Sequence, residues 1–182
     1  MAYTTYAGVK NYLGITSSAD DALFTTLIDR AQASIDNHCR RTFEAGSDTT
    51  RLVSVEDADG LTLVLTDDLC SITSITNNAD GVTETITIDT HAITVPRYDT
   101  PYREIKMLGS VNKIWDYADD PEEGISILGR WAYSTSPPAN VVDVCVRLTE
   151  YLYRGKDTGE GTSLSDDTAM GILDELGSLV KL

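Results

Sequence analysis

The feature that most constrains the fold is a helix-forming stretch that follows Pro137-Pro138 and ends near Arg154. Its charged residues are spaced four, three and four apart, so on a helix they form one stripe about 60° wide. They are Asp143, Arg147, Glu150 and Arg154. Apolar residues cover most of the remaining circumference, among them Val141, Val144, Cys145, Leu148 and Leu152. A helix with so narrow a polar stripe has to be covered on several sides, so we predict that it is the core helix.

Two more helices are predicted at the N-terminus. Thr4-Thr5 can cap the first, and Gly14 ends it as a left-handed residue. Its buried face is expected to hold Tyr6, Val9 and Leu13. Ser17-Ser18 followed by Asp20-Asp21 resembles a capping box, and the second helix then runs to about Cys39. Its apolar residues follow helical spacing: Phe24, Leu27, Ile28, Ala31 and Ile35.

From about Thr49 the apolar period changes to two, which is typical of β-strands. Turn signals are found at Asp59-Gly60, Asn77-Asn78 and Asp80-Gly81. Strands are expected around Leu61–Thr66, Ile72–Ile75, Thr85–Ile88, Arg103–Met107, Val111–Trp115 and Ile125–Tyr133. Short strands at this spacing favour an antiparallel sandwich or a small barrel. We therefore predict an α+β protein, with a helical domain from residues 1–46 and 137–182 and an inserted β subdomain at 47–136.

A last helix is predicted after the Gly-rich, polar segment Gly155–Leu164. Ser165 and the two aspartates that follow it can start this helix. Apolar residues continue at helical spacing to the end of the chain, at Leu173, Leu176 and Val180. A helix this short is marginal alone, so it needs a core or a partner to lie on.

The charge balance excludes some classes of partner. The net charge is −15, and between Leu52 and Pro96 there are eight acids and no Lys or Arg. Such a surface repels phosphate, which is unfavourable for nucleic-acid binding. It can still line a channel through which DNA passes without being bound. No apolar run is long enough for a membrane span, and no signal peptide is recognisable, so we expect neither membrane insertion nor export.

The sequence shows no catalytic or metal-binding pattern. His38 and His91 lack neighbours at ligand spacing, and no nucleophile elbow or phosphate loop is present. The acidic clusters Glu56–Gly60 and Asp119–Gly124 are interpreted as solvated turns, with a calcium site as the less favoured alternative. The three cysteines are odd in number and scattered, which favours buried free thiols. We expect no enzyme activity, no cofactor and no metal; a carbohydrate-binding or glycoside-cleaving β domain is the open alternative from another class.

The ordered set of motifs resembles the head–tail connector (adaptor, or head-completion) proteins of tailed bacteriophages. The resemblance is carried by Tyr3-Thr4-Thr5, Val9–Ile15, Asp20–Leu23, His38–Phe43 and Gly129–Tyr133 followed by Pro137-Pro138. Ala132 stands where many members carry Gly, and the β block is longer than in the compact, mainly helical members.

The resemblance implies a non-enzymatic virion protein of the neck, synthesised in the host cytoplasm. Such adaptors form a homo-oligomeric ring under the portal protein, extend the DNA channel and offer a platform for a stopper or tail-completion protein. It also implies that the C-terminal helix with Leu173, Leu176 and Val180 contacts the portal. The acids Glu56, Asp57 and Asp59 are then candidates for a face along the channel, or simply for a solvated surface. A stopper or another neck or tail component is the alternative within the virion.

Overall fold

The computed structural model describes residues 2–79, 82–117, 121–156 and 166–180. The chain divides into two compact units, of which the first combines Met1–Glu44 with Ser136–Leu182 and the second is Ala45–Thr135. The first unit is helical and the second is built of β-strands. This mixture confirms the α+β fold class. That the two units are separate domains stays a prediction.

The helical unit is built around its third helix. Its helices are α1 (Tyr6–Leu13), α2 (Asp21–Cys39), α3 (Ala139–Gly155) and α4 (Asp167–Asp174). Helix α3 contacts all three others, and Phe24 of α2 stacks on Tyr153 of α3 with ring centroids 4.4 Å apart. Residues from opposite ends of the chain therefore share one core.

Local signals set the ends of α1. The Thr5 hydroxyl accepts a hydrogen bond from the Gly8 N–H at 3.1 Å, which satisfies one of the orphan donors of the first turn. Gly14 has φ 69°, and the Ile15 N–H returns to the Lys10 carbonyl at 2.9 Å. Both predictions, the threonine cap and the left-handed glycine, are confirmed.

Two details at the N-terminal helices differ from expectation. The capping box is wrong, because α2 begins after Asp20 without a side-chain cap. The Asp20 carboxylate instead accepts hydrogen bonds from the Tyr153 hydroxyl at 2.7 Å and the Lys156 ammonium at 2.8 Å. Tyr6 is 46% exposed and does not share the buried position of Val9, because the eight-residue helix meets the core along a narrow line.

The β unit contains two four-stranded antiparallel sheets. One has the strand order β1-β8-β4-β5 and the other β2-β3-β7-β6. The strands are β1 (Thr49–Val53), β2 (Ala58–Asp59), β3 (Thr62–Leu69), β4 (Ser71–Ala79), β5 (Val82–Ile86), β6 (Ala92–Val95), β7 (Tyr102–Met107) and β8 (Ile125–Arg130). Buried residues of both sheets form one core, including Leu63, Leu69, Ile75, Ile105, Ile125 and Ile127. Within the described residues the sheets are not closed into a barrel, so of the two predicted forms the sandwich is the one observed.

Two predictions within the β unit are wrong for a common reason. Asn77-Asn78 lies inside β4 and is not a turn, and Val111–Trp115 is not a strand. The buried Asn77 amide donates to the Ile114 carbonyl at 2.8 Å, and its oxygen accepts from the Asp116 N–H at 3.2 Å. The Asn77 side chain thus takes the place of the backbone hydrogen bonds that would have made residues 111–115 a strand.

The remaining turn signals have different outcomes. Gly60 has φ 63° and joins β2 to β3, so the Asp59-Gly60 turn is confirmed. Asp80-Gly81 lies outside the described residues. The last predicted strand ends at Arg130, three residues earlier than expected.

Candidate functional site

The predicted core helix lies in the interior of the helical unit. Buried residues line its inner side, and they include Val141, Val144, Cys145, Leu148 and Leu152. Burial raises the pKa of the Cys145 thiol to about 12, so it stays protonated and unreactive near neutrality. The polar stripe carries two i,i+4 ion pairs, Arg147 with Asp143 at 3.7 Å and Arg154 with Glu150 at 2.5 Å. This helix supports the unit and offers little surface to a partner.

The C-terminal helix α4 turns its apolar side inward. The Asp166 carboxylate caps it by accepting from the N–H groups of Thr168 and Ala169 at 3.1 and 2.9 Å. The predicted C-terminal helix is shorter than expected, because α4 ends at Asp174; Leu173 lies on it and Leu176 lies beyond it, and both are buried. Val180 follows a 3-10 turn and is half-buried, and Met170 is exposed. Of the predicted hinge Gly155–Leu164, only the first two residues are described.

Polar contacts also join α4 to the rest of its unit. Arg147 donates to Glu175 at 2.5 Å, and the Tyr151 hydroxyl donates to Asp166. The Arg147 guanidinium holds the pKa of the Glu175 carboxyl below its usual range. These contacts and the two buried leucines together oppose the release of α4.

The three candidate acids of the β unit lie close together in sequence and are exposed. Glu56 and Asp57 lie on the 3-10 turn Val55–Asp57, and Asp59 lies on β2. Among the acids of the same all-acid stretch, Glu84 pairs with Lys113 and Asp67 pairs with Arg51. The second acidic cluster, Asp119–Gly124, lies partly outside the described residues.

The described residues offer little chemistry. They contain no group of three or more His, Cys, Asp or Glu side chains arranged to hold a metal ion. The His91 Nδ1 accepts from the Thr87 N–H at 3.0 Å, which is a turn contact. Cys39 and Cys70 are also buried, and burial raises the pKa of both thiols. No helix in the described part of the chain combines the length and apolar character of a membrane span.

A buried hydrogen-bond group near the N-terminus was missed by sequence reasoning. The Tyr3 hydroxyl donates to Asp36 and accepts from the Phe43 N–H at 2.7 Å. Burial raises the pKa of the Tyr3 hydroxyl and that of the Asp36 carboxyl, because desolvation disfavours the charged form of each group. Phe43 is fully buried and meets the Tyr3 ring edge-on. Both residues belong to stretches that carry the family resemblance, and here they are structural.

Comparison with known proteins identifies the family. The profile of the phage gp6-like head-tail connector protein family matches residues 4–96, just over half of the chain. The chain belongs to this connector family. It is therefore a structural, non-enzymatic protein of the phage neck.

A chain of a solved particle structure shares the fold of this connector. The neck of an empty gene transfer agent (GTA) particle computed with C6 symmetry contains a chain with TM-score 0.56 and 17% identity. The alignment covers 95% of this connector and 88% of that chain. The virion of the native GTA particle contains a chain with TM-score 0.48 and 17% identity, at the same coverage. At these identities the likeness concerns the fold alone. Comparison with curated proteins gives no match.

Proposed function

We propose that this connector is an adaptor that forms a ring under the portal protein, extends the DNA channel and provides the docking platform for a stopper or tail protein. The observation that carries the proposal is the family match over α1, α2 and the first six strands. The fold similarity to a chain of a neck computed with C6 symmetry supports a ring.

The charge distribution supports passage of DNA without binding. A net charge of −15 and the exposed acids Glu56, Asp57 and Asp59 repel phosphate, so DNA in the channel would not be held. To test this, we would replace all three acids by lysine and use the matched Gln/Asn variant as the control. We expect the lysine variant to bind DNA more tightly and to lower infectivity, and the amide variant to do neither. Unchanged DNA affinity and infectivity in the lysine variant would count against a channel face.

The portal contact is proposed for the C-terminal segment, and the structure sets a condition on it. Leu173 and Leu176 are buried, so they can reach a portal only if α4 and the residues that follow it leave α3. Release would break the pair between Arg147 and Glu175. The variant Arg147→Gln should therefore favour release and strengthen portal binding, whereas tighter docking of α4 should weaken it.

Electron microscopy of the full-length protein mixed with its portal assembly tests the adaptor role. A ring seated directly on the portal supports it. Binding only to a portal that already carries another ring would overturn it in favour of a stopper. A monomer in free solution is compatible with the proposal, because an open interface can close on the portal template.

A further inference from the structure

The sheet β1-β8-β4-β5 has two open edges. Among the described residues, no further strand pairs with the outer side of β1 or of β5. Thr49–Leu52 of β1 is exposed, as are Val82, Thr83 and Thr85 of β5. An edge strand presents unpaired N–H and C=O groups, which can pair with a strand from another chain.

These two edges are complementary in length and direction. Each strand has five residues. Because the sheet has four antiparallel strands, β1 and β5 run in opposite directions. When β1 of a second copy is placed beside β5, the sheet continues in the same antiparallel sense.

Opposite charges favour one register between β1 of one copy and β5 of the next. Full overlap places Arg51, the middle residue of β1, opposite Glu84, the middle residue of β5. Arg51 registers with Ile127 and Glu84 with Asn77, and both of these neighbours are buried. The two opposite charges therefore lie on the same, core-facing side of the sheet, where cross-strand pairs interact. Within one protomer Arg51 already pairs with Asp67 and Glu84 with Lys113, so the added contact would bring two existing ion pairs side by side.

A groove lies beside β5, and the ion pair between Lys113 and Glu84 joins its two walls. It has a volume of about 520 Å³ and is bounded by Val82–Thr85 on one side and by residues 112–114 and 116 on the other. Val82 is 68% exposed and Ile114 is 58% exposed. An added strand would cover apolar surface as well as satisfy backbone groups, which is the usual mode of β-augmentation.

We propose that the outer edge of β5 receives β1 of a second copy, so that the sheets of neighbouring protomers join into one antiparallel sheet. The contact is head-to-tail, because each copy contributes a different edge, and such contacts form a ring when the rotation closes. The inference rests on the proposed ring and names the surfaces that build it.

Cross-linking across the predicted register tests the contact. Thr50 and Thr85 are exposed and lie opposite one another in this register, on the side away from the core. The variant Thr50→Cys/Thr85→Cys, oxidised on portal particles, should give a ladder of covalent oligomers. The three native cysteines are buried, so the engineered pair is the accessible one. Single variants should give no ladder, and Thr50→Cys/Thr83→Cys, displaced by two residues, should give a much weaker one.

A second variant pair checks the edge without cysteine chemistry. Val82→Lys places a charge at an exposed edge position, and such charges block strand addition. Val64→Lys is the matched control, because Val64 is 45% exposed on β3 of the other sheet, where it pairs with Glu104 of β7. We expect the Val82 change to abolish the ladder in the double-cysteine background and the Val64 change to preserve it.

The outcomes separate this inference from the adaptor role. A ring on the portal without a ladder, or a ladder that survives Val82→Lys, overturns the joined sheet and leaves the adaptor intact. A ladder without portal docking supports the joined sheet and overturns the adaptor. Cross-linking of Thr85→Cys to a tail protein, with no link between copies, also overturns the joined sheet.

Discussion

The substitution Leu148→Ala tests whether α3 holds the helical unit together. Leu148 is fully buried in α3. Leu→Ala changes in packed cores cost about 2–5 kcal/mol, through lost transfer free energy and the cavity that remains. Because α3 is packed by three other helices, the site can collapse little, and we expect about 3 kcal/mol. With an m-value of roughly 2 kcal/mol/M, the urea midpoint should fall by about 1.5 M.

The two units give separate optical signals. Trp115 and Trp131 both lie in the β unit, and all four described α-helices lie in the helical unit. Urea unfolding is followed by far-ultraviolet circular dichroism for the helices and by tryptophan fluorescence for the sheets. If the units are separate domains, Leu148→Ala shifts the dichroism transition and leaves the fluorescence transition in place.

Two control variants complete the test. Ile75→Ala, at a fully buried position of β4, should shift the fluorescence transition instead. Leu52→Ala, at a position that is 52% exposed, should shift neither. A loss below about 1 kcal/mol for Leu148→Ala would refute its role as a core residue. Equal shifts of both transitions would refute the two-domain prediction.

Three further predictions concern the sheets, pH and the thiols. An added Cβ at Gly129 would lie 2.2 Å from the Ser71 carbonyl oxygen. Gly129→Ala should therefore lower the free energy of unfolding of the β unit, followed by fluorescence, by roughly 1–3 kcal/mol or more. Gly46→Ala is the control, because a Cβ there has no atom within 4 Å and should change this free energy little. Hydrogen bonds from Lys156 and Tyr153 lower the pKa of Asp20, and the pKa of Lys156 is raised. The ion pair between Asp20 and Lys156 should therefore stabilise the helical unit between pH 3.8 and pH 10.5, the ordinary pKa values of the two groups. This stabilisation should be lost as the pH falls through the folded-state pKa of Asp20 or rises through the folded-state pKa of Lys156. Measurements of the free energy of unfolding against pH, for wild type and Asp20→Asn, check this prediction. The three native thiols should resist a thiol reagent until denaturant exposes them, and rapid labelling of the folded protein would contradict their burial.

Local chemistry made much of the helical unit predictable. A threonine cap, a left-handed glycine and a narrow polar stripe act within a few residues, so α1 and α3 could be placed from the sequence. The change of apolar period at Thr49 likewise predicted where β structure begins. The connector family was recognisable because several short motifs occur in order, although each is weak alone.

Long-range contacts decided what the sequence did not reveal. Asn77 reads as a turn former, yet its partners are at Ile114 and Asp116, more than thirty residues away. Asp20 reads as a cap, yet its partner Tyr153 lies at the other end of the chain. Of the site, the all-acid stretch was visible as composition, but the open edge of β5 depends on strand order and could not be predicted.

The division of the helical unit between the chain ends has a consequence for biosynthesis. Helices α1 and α2 leave the ribosome first, but α3 follows only after the roughly 90 residues of Ala45–Thr135. At a translation rate of about 5–20 residues per second, this delay lasts roughly 5–20 s. Meanwhile the β unit can close on itself, since the Ala45 N–H bonds to the Ser134 carbonyl at 3.0 Å. We expect the sheets of nascent chains to fold first, and the apolar face of α2 to need a chaperone until α3 is synthesised. A premature stop before α3 would then leave an aggregation-prone fragment.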